Sequence, residues 1–111
     1  MLATAHVDGA IQVWDVRTDG GNMARSSLEI KAVLRTHQRL VSGVAWASGD
    51  EFRIASSAHD EMVKVYDIRS SAALQSVKLE AKATCVAWHG GDVLSGAADG
   101  EVRRHVLKCV S

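Results

Sequence analysis

The 111-residue sequence has no surplus of either charge, no long apolar run, no paired cysteines and no window with a sustained helical period. Lys and Arg number 13 and so do Asp and Glu, and splitting the chain after residues 37 and 78 leaves each part balanced. Attraction to nucleic acid or to a membrane surface through bulk charge is therefore not expected. The apolar runs are a few residues long, far below the ~20 needed to cross a bilayer as a helix, and no basic segment followed by an apolar one opens the chain. This predicts a chain that is neither secreted nor membrane-embedded. Cys85 and Cys109 belong to no C-x-x-C pair, which argues against a disulfide framework or a zinc knuckle and for reduced thiols in a cytosolic or nuclear setting. With 47% apolar residues, the composition is that of an ordinary folded domain rather than a disordered tail.

The sequence repeats itself. Leu2 to Arg17 superimposes without a gap on Ile54 to Arg69, pairing Asp8 with Asp60 and Trp14-Asp15 with Tyr66-Asp67. A third copy starts at Val93, with Ser95, Asp99, Gly100 and Val102 in the places of Thr4, Asp8, Gly9 and Ile11, but with His105-Val106 where Trp14-Asp15 stands in the first. A second unit, Gly43 to Asp50, recurs as Cys85 to Asp92. From Asp60 to Asp99 the period is 39 residues, and from Asp8 to Asp60 it is 52. The excess falls in residues 18–30, whose Gly, Asn and Ser content predicts an inserted loop. Ile11, Val13, Val63 and Val65 alternate with polar neighbours at period 2, and Asp8-Gly9 and Asp99-Gly100 read as tight turns. Each unit is thus a meander of about four short strands per repeat of roughly 40 residues.

The Asp-Gly turn, the apolar strand after it and the closing Trp14-Asp15 or Tyr66-Asp67 resemble WD40 repeats, and the likeness spans almost the whole chain. The resemblance implies an all-β fold, a partial β-propeller of about two and a half blades from the C-terminal part of a larger, seven-bladed ring. Residues 1–111 form one repeat region with blade pieces at about 1–36, 40–79 and 84–110: the first lacks its innermost strand, the second is whole and the third lacks its outer one. Within the family the chain is most similar to the C-terminal repeats of the WD-repeat ribosome-biogenesis factors of the PeBoW complex. The segments that carry this likeness are Val13 to Gly21, Met62 to Ser70 and Val93 to Gly100.

His37, Ser56 and Asp60 supply a base, a hydroxyl and a carboxylate, the ingredients of nucleophilic catalysis. The resemblance implies a different role, a buried hydrogen-bond relay that fixes each blade. Its members would be Thr4, Asp8 and Trp14 in the first copy, His37, Ser56, Asp60 and Tyr66 in the second, and Ser95 and Asp99 in the third. The third copy departs from the pattern, with Leu79 at the histidine position and His105 at the tryptophan position. Catalytic constellations do not tolerate such drift, so no catalytic residues are expected. No histidine or cysteine spacing suits a metal, and the Gly-rich pieces lack the lysine and helix of a phosphate cradle, so neither metal nor cofactor is expected.

What remains is surface for protein partners. By resemblance the partner-binding face would be built from Val7, His59 and Ala98, from Gln38 and Leu40, and from Glu80 and Lys82. No basic stripe with stacking aromatics accompanies them, so direct sequence-specific nucleic-acid binding and membrane binding are not expected. The resemblance implies a non-catalytic scaffold in large ribosomal subunit biogenesis and pre-rRNA processing, located in the nucleus and nucleolus. The alternative is a substrate receptor of a cullin-RING ubiquitin ligase, since Trp14 to Arg17 and Tyr66 to Arg69 both fit a WD-x-R pattern in which Arg17 and Arg69 would meet the adaptor. Three further expectations concern packing: Val44, Trp46, Val86 and Trp88 point into the core from two adjacent inner strands, Cys85 is buried, and Leu2, Ile11 and Val13 are exposed for want of a neighbouring blade.

Overall fold

The computed structural model describes residues 1–106 except positions 20, 21, 36, 48, 51, 71 and 72, with the backbone alone described over 16–19 and 22–28. Its elements are ten strands: β1 Leu2–Ala5, β2 Ala10–Asp19, β3 Asn22–Arg35, β4 Val41–Trp46, β5 Arg53–Ala58, β6 Met62–Asp67, β7 Ala73–Lys78, β8 Ala83–His89, β9 Asp92–Ala97 and β10 Val102–His105. They form three antiparallel meanders, β1-β2-β3, β4-β5-β6-β7 and β8-β9-β10, hereafter sheets 1, 2 and 3. The architecture is all-β and is that of part of a propeller.

Local chemistry explains the turns. Asp8, Asp60 and Asp99 each accept, through Oδ1, the backbone N–H two residues on, at 3.1, 3.0 and 3.0 Å. An aspartate in this position folds the chain back on itself without a partner from elsewhere. The residue after it has positive φ each time: 89° at Gly9, 70° at Glu61 and 84° at Gly100. Gly9 is doubly constrained, because a Cβ there would lie 2.1 Å from the carbonyl oxygen of His37.

Sheet 2 is sandwiched, and its second strand shows it: Ile54 to Ala58 are all buried, on both faces. The run Ala55-Ser56-Ser57-Ala58 is made of small side chains, which lets a sheet approach from either side. On one side Ile54 and Tyr66 pack with Ile11, Leu34 and Val41, with Val44 and Trp46 against them. On the other Ala55, Val63, Val65 and Leu79 pack with Ala83 and Val93, with Val86 and Trp88 against them. Fully burying side chains of this size is worth about 1.5–3 kcal/mol each, so these two interfaces dominate the stability. Polar ties cross the second interface as well. Trp88 Nε1 donates to the carbonyl of Ala45 at 2.9 Å, and Ser42 Oγ donates to the carbonyl of Ala83 at 2.7 Å. With its proton so used, Ser42 accepts from Ser57 Oγ at 2.9 Å.

Three expectations need correction. The extra residues 18–30 are not a loop: β2 and β3 stay paired through Asp15↔Glu29, Val16↔Leu28 and Arg17↔Ser27 to Asp19↔Asn22, so the insertion lengthens a hairpin. Asn22, Ser26 and Ser27, residue types that also suit turns, lie within β3, whose backbone pairing to β2 holds them in a strand. Ile11 and Val13 are fully buried rather than exposed, because they face sheet 2; Leu2, on the opposite face of sheet 1, is 45% exposed. Cys85 is exposed. A register shift between Ala83 and Cys85 turns the thiol away from sheet 2, onto the outer face of sheet 3. Cys109 lies outside the described residues.

Candidate functional site

The connection from β3 to β4 carries His37 over the end of sheet 2, where β5 presents Ser56 and the β5–β6 turn presents Asp60. Their side chains meet: His37 Nε2 is 2.7 Å from Ser56 Oγ, and Nδ1 is 3.0 Å from Asp60 Oδ2. The phenol of Tyr66 bonds to the same serine. Asp60 also accepts from the backbone N–H of Gln38 at 3.1 Å, closing the connection onto the turn. Ser56 and Tyr66 are fully buried and His37 nearly so. Burial pushes the His37 imidazole below its ordinary pKa, against the opposing pull of Asp60. Burial raises the Asp60 carboxyl, but the Gln38 N–H, the His37 ring and the Met62 N–H together hold it below the usual carboxylate value. Tyr66 is pushed up by burial. The consistent proton arrangement is a neutral imidazole whose Nδ1–H donates to the carboxylate while Nε2 accepts from the Ser56 hydroxyl, which in turn accepts from Tyr66. A serine sealed beneath a tyrosine and an imidazole cannot meet a substrate; it fixes the connection to the sheet.

The other two copies solve the same problem differently. In sheet 1, Trp14 Nε1 donates to Thr4 Oγ1 at 3.0 Å, and Thr4 is 2.8 Å from Nε2 of His6, just past the end of β1. Asp8 stands outside this network: its side chain is exposed, held by its own turn and by Arg35 at 3.4 Å. The Ala10 N–H, then Arg35, keep its pKa low. In sheet 3, Ser95 Oγ bonds to His105 Nε2 at 2.7 Å, and burial lowers the pKa of that imidazole. Asp99 is exposed and receives the Glu101 N–H. The apolar Leu79 at the histidine position, buried among Val63, Val65 and Val93, offers it no donor. In sheet 2 the side chains of His37, Ser56 and Asp60 are thus hydrogen-bonded in series, whereas Asp8 and Asp99 bond the backbone of their own turns. His6 and His105 are the members that sequence reasoning missed. The signal for His6 was its i+2 spacing from Thr4, which puts both on one face of a strand. His105 sits one strand over from Val93, diagonal to Ser95.

The residues of the expected partner face lie at one end of the sheets. His59 N–H donates to the carbonyl of Leu40 at 2.9 Å, Ala98 N–H to that of Lys82 at 2.8 Å, and Val41 N–H to that of His6 at 3.1 Å. These bonds lace each β-turn to the connection beside it, so the loops form one rim. Val7, Gln38, Glu80, Lys82 and Ala98 are exposed there, with Leu40 and His59 half-buried. At the opposite end Arg69 grips Asp67 through Nε and Nη2, at 2.9 and 2.7 Å, and its guanidinium lies 4.2 Å from the centre of the Phe52 ring. The Arg69 side chain, ahead of the Arg69 N–H, lowers the Asp67 carboxyl to about 2. The Arg17 side chain lies outside the described residues. Among the described residues no cluster of His, Cys, Asp and Glu is placed to hold a metal ion.

Three meandering sheets, each turned by an Asp and each with a Ser or Thr at the same repeat position bonded to an imidazole, define a WD40-repeat chain. Residues 28–67 match the family described as WD domain, G-beta repeat, and the chain belongs to the WD40 family. It is 31% identical over 104 residues to the ribosome biogenesis protein WDR12 homolog of Nematostella vectensis, covering 91% of this chain and 24% of that protein. Against the WDR12 homolog of Chlamydomonas reinhardtii it is 30% identical over 113 residues, covering 95% and 24%. Protein SPA1-RELATED 4 of Arabidopsis thaliana is 27% identical over 110 residues, covering 96% of this chain and 13% of that protein. The chain thus spans about a quarter of the length of the WDR12 homologs it matches.

Proposed function

We propose that the chain is part of a non-catalytic WD40 scaffold for ribosome biogenesis, acting in the nucleolus on the large subunit and its pre-rRNA by holding assembly proteins together. The observation that carries this reading is the likeness to WDR12 homologs across nearly the whole chain, in company with the buried, substrate-inaccessible state of the Ser56-His37-Asp60 arrangement. The partner face is the laced rim of Val7, Gln38, Leu40, His59, Glu80, Lys82 and Ala98. Half-buried Leu40 and His59, with the exposed Lys82 cation at the same end of the sheets, combine an apolar anchor with a charge, the mixture that interfaces with proteins use. The ubiquitin-ligase reading draws less support, because the Arg69 guanidinium is already engaged by Asp67 and Phe52.

The test is co-purification from cell extract with the longest natural form of the polypeptide, comparing it with a variant changed at Leu40, His59 and Lys82 together. Recovery of ribosome-assembly proteins by the unchanged protein and its loss in the triple variant is the expected result. Recovery of a cullin adaptor that is lost on charge reversal at Arg17 and Arg69, with no pre-ribosomal protein in the unchanged sample, would overturn the reading.

A further inference from the structure

Sheet 2 has a neighbouring sheet on each of its faces, so a further blade packed on sheet 1 or sheet 3 would leave its surroundings as they are. Along β6, Met62, Lys64 and Tyr66 alternate onto the face turned toward sheet 1, where Tyr66 packs with Ile11 and Leu34. The register sets Lys78 of β7 opposite Met62, and Ser76 opposite Lys64. Lys64 and Lys78 are therefore diagonal neighbours on one face, about 7–8 Å apart along the backbone grid. Between this face and the β3–β4 connection lies a cavity of about 290 Å³, lined among the described residues by Gln38, Asp60, Met62, Lys64 and Lys78. Asp60 spends its oxygens on the His37 ring and on the N–H groups of Gln38 and Met62. The Lys64 ammonium stands near enough to His37 to oppose its protonation. Two cations against one carboxylate leave the lining with a net positive charge of one.

We propose that this cavity receives one acidic side chain, an aspartate or a glutamate, of a protein bound along the rim. The proposal rests on the reading of the rim as a partner face, because Gln38 belongs to both. A single carboxylate balances the net charge of the lining, and the ammonium groups donate charge-assisted hydrogen bonds to it. The Gln38 amide adds a neutral donor, and half-buried Met62 gives the methylenes of an acidic side chain an apolar wall. The volume stands at the lower end of the roughly 300–1,000 Å³ of small-molecule sites, which suits a side chain better than a whole cofactor. Exposed Lys78 is open to an arriving ligand, while Lys64 is half-buried. A polyanion fits less well. Asp60 forms part of the lining and exposed Glu80 follows two residues after Lys78, so an extended run of phosphates would meet carboxylates where it left the cavity.

The experiment is NMR of methyl-labelled methionine in the longest natural form of the polypeptide, with a capped Gly-Glu-Glu-Gly peptide as the probe. The Met62 methyl signal, identified by its loss in Met62→Leu, is expected to shift saturably with this peptide and to stay in place with Gly-Gln-Gln-Gly. Lys78→Glu, at an exposed position, is expected to abolish the shift. Lys64→Gln is expected to weaken binding about two- to five-fold, the worth of one partly exposed ion pair. Circular dichroism reports folding, and if one substitution disturbs it the other carries the comparison. A Met62 methyl that ignores the glutamate peptide, an equal shift with the glutamine peptide, or undiminished binding by folded Lys78→Glu or Lys64→Gln would each overturn the proposal. So would tighter binding of a short single-stranded RNA at the same methyl. The assay uses purified protein and a synthetic peptide, so its failure leaves the co-purification result standing, and loss of the rim reading leaves the peptide result to be judged by itself.

Discussion

Replacing Asp60 with Ala separates a structural relay from a turn residue, because Asp8 supplies the control inside the same molecule. Both aspartates close the same turn two residues ahead. Only Asp60 also accepts from His37, whose side chain is fully buried, and from the Gln38 N–H. Asp60→Ala leaves the Nδ1–H of a buried imidazole without an acceptor, at about 1–3 kcal/mol, with little chance for water to take the place. Asp8→Ala removes an exposed carboxylate whose ion pair with Arg35 is open to solvent, and belongs with surface changes of about 0.5 kcal/mol or less. The expected difference of about 2 kcal/mol corresponds to a shift on the order of 1 M in the urea midpoint for a domain of this size. Unfolding is followed by tryptophan fluorescence at one fixed protein concentration, since any association adds a concentration term. Equal midpoints for the two variants would refute the assignment of Asp60 to a buried relay.

Acidification should weaken the fold in two steps with the same sign. His37 has a folded pKa below its ordinary 6.5, so the unfolded chain binds the extra proton first, and stability is full above that value and falls as pH drops from about 6.5 toward the folded pKa. Asp60, depressed below 3.8, adds a contribution that is present above that value and is lost as pH falls further. His37→Gln should remove the upper step in a series of urea midpoints against pH; a step that survives belongs to another histidine. Gly9→Ala should cost about 2 kcal/mol or more, since it adds the left-handed penalty of about 1–2 kcal/mol to a collision with the His37 carbonyl. Glu61→Gly, at the equivalent turn, should be neutral or stabilising by up to about 1 kcal/mol, because relief of the same penalty is partly offset by the freer unfolded chain. Midpoints in the reverse order would show that the turn conformations differ from those described.

The parts of this fold legible in the sequence were those fixed by spacing. The interval of four between Ser56 and Asp60, and of nine between His37 and Trp46, survives any small error in strand boundaries, so their convergence could be read directly. The parts that were not legible depend on register, which a one-residue slip inverts. Cys85 shares its repeat position with Gly43, whose Cβ would press on Ser57 Oγ and Val86, so this position faces the next sheet in line. In sheet 3 no sheet follows, and the thiol meets solvent. The burial of Ile11 has the mirror-image reason: the exposed face of sheet 1 is the one that carries Leu2, and period-2 alternation alone does not say which face that is. The lengthened hairpin escaped because Ser and Asn are weak evidence against a strand when the partner strand is in register to hold them. The rim residues could be placed at one end by counting from the turns, but the backbone bonds between Leu40 and His59 and between Lys82 and Ala98 are tertiary facts.

The three sheets also state a rule: the Ser or Thr of the second strand always bonds an imidazole, but the imidazole comes from wherever the sequence leaves one. In sheet 3 the exchange of positions is complete, with Leu79 where sheet 2 has His37 and His105 where it has Tyr66. Leu79 is 3% exposed and packs with Ala83 and Val93, so Leu79→His alone trades apolar packing for an imidazole. That loss belongs with the costs of about 2–5 kcal/mol for emptying core positions of leucine, partly offset by the bulk retained. His105→Trp alone deprives Ser95, 2% exposed, of its partner while adding an indole N–H that can donate to it. Together the changes place an imidazole between Ser95 and Asp99, as His37 stands in sheet 2, and give the serine an indole donor, as Trp14 gives Thr4 in sheet 1. The double variant is therefore expected to be more stable than the sum of the single effects by about 1–2 kcal/mol, within the range of couplings between contacting residues. The pKa of Asp99, followed by NMR, should fall in the double variant as its carboxylate gains a donor, and not in His105→Trp. Strict additivity with an unmoved Asp99 would mean that the Leu79 and His105 positions in sheet 3 do not share one hydrogen-bonded site, and that the exchange between them is coincidence.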